Sequence, residues 1–150
     1  MSQSLSKNQI HLVFSTKNRA AVLHDGIRSR LFGYMTGIFE EWESPSIQIG
    51  GIEDHIHALF VLSKNFALKK LVEELKKGSS KWMKTQGREF AKFYWQAGYG
   101  AFSVSESNVE QVTQYIAKQP EHHRKKNFQA EFRELLQAHK ISFDERYVWD

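Results

Sequence analysis

The sequence predicts an α+β fold in which helices pack on an antiparallel sheet. Three features of the chain predict it. Apolar residues alternate with period two in three separate stretches, they recur at helical spacing elsewhere, and the segments run strand, helix, strand, strand, helix, strand. A chain of 150 residues is one domain's worth, so residues 1–150 read as a single unit.

Ile10, Leu12 and Phe14 alternate with His11, Val13 and Ser15, which defines a half-buried first strand running into the polar segment 15–19. Asp25 is the expected N-cap of a first helix over 26–43. Its stripe is Ile27, Leu31, Met35, Ile38, Phe39 and Trp42, and Pro45 forbids continuation. Ile47 and Ile49 give a short second strand closed by Gly50 and Gly51. In the third strand Ile56, Ala58, Phe60 and Leu62 alternate with His55, His57, Leu59 and Val61; apolar on most of both faces, it is expected at the centre of the sheet. Leu68, Leu71, Val72, Leu75, Trp82 and Met83 form a second helical stripe carrying many lysines.

Phe93-Tyr94-Trp95 and Phe102-Ser103-Val104, split by Gly98-Tyr99-Gly100, read as a fourth strand and an edge. Ser107-Asn108-Val109-Glu110 has the form of a capping box, so a third helix is expected from 108, with Val109, Val112 and Ile116 at helical spacing. Pro120 breaks it, and Phe128, Phe132, Leu135 and Leu136 mark a last helix ending near His139. The element order is that of ferredoxin-like (RRM-like) folds, with extra C-terminal helices. One face of the sheet is expected to be covered by helices and the other to be free.

Composition narrows the function. With no cysteine, disulfides, thiolate zinc sites, iron–sulfur clusters and cysteine nucleophiles are excluded, and any metal must use His, carboxylate or amide ligands. The longest apolar run, 58–62, is far short of the ~20 residues of a membrane span, and residues 1–10 lack the apolar core of a secretory signal, so no membrane partner and a cytoplasmic location are expected. A net charge of +4 leans toward a polyanionic partner.

His55 and His57 are two apart on a strand, so both imidazoles project from one face, about 7 Å apart along the chain, a spacing suited to gripping one divalent ion. The competing reading is a hydrogen-bonded surface pair. Tyr115 and Gln119, four apart near the end of the third helix, lie on one side of it and face one target together, or else pack at the core edge and in solvent. Glu53 and Asp54 either orient an imidazole or form a plain turn. His122 and His123, beside Arg124, Lys125 and Lys126, read as an exposed basic turn.

Taken together, the opening strand His11-Leu12-Val13-Phe14-Ser15-Thr16-Lys17, the triplet His55-Ile56-His57 and the late-helix segment Tyr115-Ile116-Ala117-Lys118-Gln119 resemble the single-tyrosine HUH transposases of bacterial insertion sequences. Leu75-Lys76-Lys77-Gly78-Ser79-Ser80 and Trp95-Gln96-Ala97-Gly98-Tyr99 add to the resemblance, which runs from about residue 7 to the end. It implies that His55, His57 and Gln119 bind a divalent ion, Mg2+ or Mn2+, and that Tyr115 is the nucleophile. It implies further a single-stranded DNA hairpin as substrate, cleavage and rejoining through a 5′-phosphotyrosine, and a two-fold homodimer in which one subunit's tyrosine completes the other's metal site. The residue types suit that chemistry: a tyrosyl phosphodiester conserves the bond for rejoining. Free phenol, with a pKa near ~10, needs help to attack at neutral pH. By ligand type alone the site would equally suit zinc.

Lys69, Lys76, Lys77, Lys81 and Lys84 on the second helix, with Lys17 and Arg19 after the first strand, are the candidate DNA-phosphate contacts; the alternative is a solvated charged face. Trp95, Tyr99 and Phe102 either stack on unpaired bases or belong to the core. The competing functions are a domesticated relative without transposition, a single-stranded nucleic-acid-binding module, and a metal-dependent hydrolase with a structural tyrosine. No RNP1-like run is present, which counts against a standard RRM.

Overall fold

In the computed structural model of the protein, which describes residues 1–150, the strands are β1 (Asn8–Ser15), β2 (Ser46–Ile52), β3 (His55–Leu62) and β4 (Gly100–Ser103). The longer helices are α1 (Asp25–Glu41), α2 (Leu68–Lys84), α3 (Val109–Ala117) and α5 (Phe128–Ala138), with a one-turn α4 (Gln119–His122). The sheet order is β2-β3-β1-β4 with every neighbouring pair antiparallel, the ferredoxin-like arrangement. β3 and β1 are the inner strands, as the two-sided apolar pattern of β3 requires. No helix is long and apolar enough to cross a membrane.

Period-two alternation divides the inner strands between two layers. Ile10, Leu12 and Phe14 of β1 and Ile56, Ala58 and Phe60 of β3 face α1 and α2, where they join Leu31, Met35, Phe39, Leu71 and Leu75 in the main core. Each fully buried side chain of that size contributes about 1.5–3 kcal/mol. The alternate residues Val13, His55, His57 and Leu59 point the other way and are also wholly buried.

That second face is not free. Helices α3, α4 and α5 lie over it, and Val13 and Phe102 pack there with Phe128, Phe132 and Leu136 in a smaller cluster. The stripes of the C-terminal helices need an apolar surface to cover, and Val13, Leu59 and Phe102 supply one. Two glycines set how closely the cover sits. A Cβ on Gly50 of β2 would meet the Ile116 carbonyl oxygen at 2.4 Å, and one on Gly100 of β4 would meet the Phe132 ring at 2.5 Å.

Local expectations fail at three places. The Phe93-Tyr94-Trp95 segment forms no strand; only Trp95 pairs, in a single bridge to Thr16, because Phe93 and Trp95 turn into the main core. The capping box does not form: 106–108 is a 3-10 turn, Ser107 Oγ pairs with Ser105 Oγ, and Asn108 precedes α3 without capping it. Asp25 is the first residue of α1 and His24 occupies the cap position, while Asp25 bonds the Arg28 guanidinium. The break at Pro120 does occur: Lys118 ends α3 and Gln119 begins α4.

Candidate active site

The site lies between the second face of the sheet and the helices covering it. His55 and His57 come from β3, paired with Ser15 and Val13 of β1, so a regular ladder fixes both backbones. Both side chains are fully buried, which demands partners. Asp54 supplies one: its Oδ1 lies 2.7 Å from His55 Nδ1, leaving Nε2 directed inward. Of the two acids before the triplet, Asp54 therefore orients the imidazole, whereas Glu53 faces Arg28 at 3.8 Å.

The other partner is Glu131, on α5. Its Oε1 lies 3.3 Å from His55 Nε2, 2.9 Å from His57 Nε2 and 3.2 Å from His123 Nε2. Its Oε2 accepts from Gln119 Nε2 at 3.0 Å and from the Tyr115 hydroxyl. One carboxylate thus faces three imidazoles with one oxygen and the phenol with the other. Gln119 Oε1 in turn lies 3.1 Å from His55 Nε2 and 2.9 Å from His123 Nε2. His11, stacked on His57 with its Nε2 2.8 Å from His57 Nδ1, closes the network on the β1 side.

These contacts set the charges. Burial raises the carboxyl of Glu131, but hydrogen bonds from His123, His55 and His57 outweigh it and hold the group ionised, well below the usual carboxylate range. Burial likewise lowers His55, yet bonding to Asp54 and Glu131 pushes it up to about 9. His57 is held below its ordinary value by burial, and His11 is pushed down to about 3 by burial and the neighbouring His57. Burial, followed by the charge of Glu131, drives the Tyr115 phenol well above its usual value, so it stands protonated and donating.

The donor set suits a divalent ion. Ligand atoms of His55, His57, His123 and Glu131 all lie within 4.8 Å of one another, and three imidazoles with one carboxylate match the ligand preferences of a transition ion.

His55, His57, Tyr115 and Gln119 are brought together as the sequence indicated, although Gln119 reaches the site from α4 after the helix break. The exposed-turn reading of His123 is corrected: its side chain is 4% exposed and sits inside the cluster, because α4 packs against β2 and sets the His123 ring 4.5 Å from that of His55. Glu131 and His11 were missed. A signal existed for each: Glu131 stands three after Phe128 and four before Leu135, on the apolar stripe, and His11 alternates with core residues in β1.

The basic residues divide. Lys76 is not a solvated ridge residue: its Nζ donates to the carbonyls of Gln96, Ala97 and Gly98 at 2.9, 3.2 and 2.6 Å, and burial pushes it down to about 8. Lys84 is similarly engaged, donating to the Phe93 carbonyl at 2.6 Å and to Ser80 Oγ. Lys69, Lys77 and Lys81 are exposed. Lys69 and Lys77 border a cleft of about 400 Å³ that also holds Tyr94 and Tyr99. Lys17 lies over Tyr94, and Arg19 over Trp149. Trp95 and Phe102 are core residues, leaving Tyr99 as the exposed one of the three candidate stackers.

Residues 4–119 match the family model of IS200-like transposases. The chain belongs to that family. Its fold is shared with solved structures of the same kind. A candidate transposase from Deinococcus radiodurans R1 aligns over 79% of this chain and 98% of its own, at 24% identity and a TM-score of 0.62. A REP-associated tyrosine transposase, solved bound to a REP hairpin, aligns over 82% of this chain and 74% of its own, at 15% identity and a TM-score of 0.61. No curated protein sequence matches. The matched family segment ends at Gln119, so His123 and Glu131 lie beyond it.

Proposed function

We propose that this IS200-like transposase cleaves and rejoins single-stranded DNA carrying a hairpin, with Tyr115 as nucleophile and a divalent ion held by His55 and His57. The observation that carries this reading is the convergence of Tyr115, Gln119 and the two strand histidines on one buried carboxylate. A hairpin substrate is supported by the REP-bound relative and by the exposed lysines beside Tyr94 and Tyr99.

His123 and Glu131 are the further groups able to hold the ion, with Gln119 Oε1 alongside. Manganese suits this nitrogen-rich set better than magnesium, which prefers oxygen ligands. When bound, such an ion supplies electrostatic clamping of the scissile phosphate. The chain's own residues do the rest. Glu131 Oε2 orients the Tyr115 hydroxyl for attack of Oη on phosphorus; the P–Oη bond forms, the P–O3′ bond breaks, and the proton lost by the phenol is balanced by the one the 3′ oxygen takes up as it leaves as a hydroxyl. Asp54 keeps His55 in one tautomer and ring orientation. The helices over the sheet keep bulk water from His55, His57 and Gln119.

The experiment is incubation of the protein and manganese with a single-stranded oligonucleotide containing a hairpin from the DNA flanking the gene. A covalent protein–DNA species resistant to denaturant is expected, and Tyr115→Phe abolishes it. An adduct that persists in Tyr115→Phe removes this residue from the role. The resemblance implied a homodimer with the tyrosine acting across subunits; within this chain the Tyr115 ring lies 5.8 Å from that of its own His57. Mixing Tyr115→Phe with His57→Ala chains decides: restored cleavage in exchanged dimers means action in trans.

A further inference from the structure

Between the edge strand β4 and helices α3 and α5, and sharing no residue with the basic cleft, is a second cleft of about 280 Å³. Tyr115 and His11 are among its lining residues, so it reaches the residue at which the proposed reaction takes place. Phe102, Val112 and Leu135 give it apolar walls, and His139 stacks on Phe102 at 4.4 Å. Asn108 and Gln111 stand at its border; both are exposed, and Asn108 makes no capping bond with α3.

The lining selects the occupant. No lysine or arginine borders this cleft, in contrast to the one beside α2, so it lacks the permanent cations of a phosphate-binding groove. Apolar and aromatic walls favour a flat apolar face, and two side-chain amides, each both donor and acceptor, match the edge of a base. The volume is close to the lower bound of about 300 Å³ for small-molecule sites, enough for one base and not for a helix. A strand attacked at Tyr115 must place the nucleotides flanking its scissile phosphate within one nucleotide's reach.

We infer that this cleft is a nucleobase pocket that receives one unpaired base next to the scissile phosphate, read by Asn108 and Gln111. The inference rests on the strand-transfer reading for the identity of its ligand, and it gives α3 two roles. Tyr115 attacks, while Gln111, one turn earlier, holds the neighbouring base. Base identity at that position then contributes to the choice of cleavage site.

The test uses the metal-free Tyr115→Phe protein, in which no chemistry occurs, titrated with millimolar dAMP, dGMP, dCMP and dTMP and followed by NMR. The side-chain amides of Asn108 and Gln111 and the methyls of Val112 and Leu135 are expected to shift with at least one nucleotide and not with inorganic phosphate or deoxyribose 5-phosphate. Gln111→Ala, at an exposed position, weakens that binding about tenfold, and Val112→Phe, which fills the cleft, abolishes it. Absence of shifts with all four nucleotides, or equal shifts with inorganic phosphate, overturns the pocket. If the wild-type protein forms the covalent adduct and no nucleotide shifts these signals, the pocket fails and the strand-transfer reading stands. If nucleotides bind here and no adduct forms, the reverse holds.

Discussion

The two faces of the sheet are built from the same two strands and are chemical opposites. Toward α1 and α2, the side chains that β1 and β3 bury are all apolar, in a cluster of 19 buried residues. Toward α3, α4 and α5 they present His11, His55 and His57 among an apolar cluster of 5. The first face is stabilised by area removed from water; the second is held largely by hydrogen bonds among groups that are costly to bury unless every partner is present. Folding and chemistry are thus separated by one residue's offset along a strand.

That division is open to attack from both sides, and the largest effect belongs to the polar face. Tyr115→Phe is expected to eliminate the covalent DNA adduct, a loss of at least about a thousandfold, while leaving the urea midpoint close to wild type; denaturing gels and a urea melt on one preparation check both. On the apolar face, Phe60→Ala should cost about 3–5 kcal/mol of stability. Yet the surviving folded fraction should bind manganese with unchanged affinity by calorimetry. A parallel fall in intrinsic affinity would show that the faces are coupled.

Gly50→Ala probes the seam. Its new methyl meets the Ile116 carbonyl, so α3 must lift, at an expected cost of about 1–3 kcal/mol. Adduct formation should fall by more than about tenfold, because Tyr115 rides on the displaced helix. Adduct yield that simply follows the folded fraction would show that the docking of α3 does not position the phenol.

The smallest expected effect is in the pH dependence of metal-free stability. His55 is raised to about 9 in the folded protein, so its pairing contributes fully below about 6.5 and is lost as pH rises through 9. His11 is lowered to about 3, so between roughly 3 and 6.5 the unfolded chain binds a proton the folded chain refuses, and stability falls with falling pH. The urea midpoint in excess chelator should therefore peak near neutral pH, and His55→Gln should flatten the limb between about pH 6.5 and 8 while leaving the acid limb. A midpoint rising across that interval in wild type would contradict the charge state assigned to His55.

The contrast between the faces also governs what could be read from the sequence. Elements whose burial follows a strict period, β1, β3, α1 and α2, were legible with their boundaries to within two residues, because one stripe facing one core leaves one answer. Periodicity put the triplet on β3 and the tyrosine four before Gln119 but left a surface pair and a packed ring open for them; the resemblance to the transposase family is what singled them out. His123 and Glu131 were not legible, because polar residues in a basic turn and on a helix ordinarily face water, and only the fold of α4 and α5 over the sheet reverses that expectation. Lys76 shows the same limit: three carbonyls converging from the 96–98 segment leave no trace in local periodicity. The missed cover also explains the failed expectation of a free face, since a stripe such as Phe128, Phe132 and Leu136 does not declare which surface it will meet.

The carboxylate of Glu131 has one further consequence. Because one of its oxygens meets Tyr115 and the other meets three imidazoles, it links the state of the phenol to the state of the histidines through two covalent bonds. In the proposed strand transfer the phenol becomes a phosphodiester with no proton to offer, and Oε2 loses a donor at the moment the strand is captured. The electron density released to Oε1 would then tighten its hold on whatever the imidazoles share. Reversal would need that proton returned to the same oxygen pair. Under the proposed reaction Glu131 is in this sense a messenger, through which the site distinguishes an empty tyrosine from a loaded one.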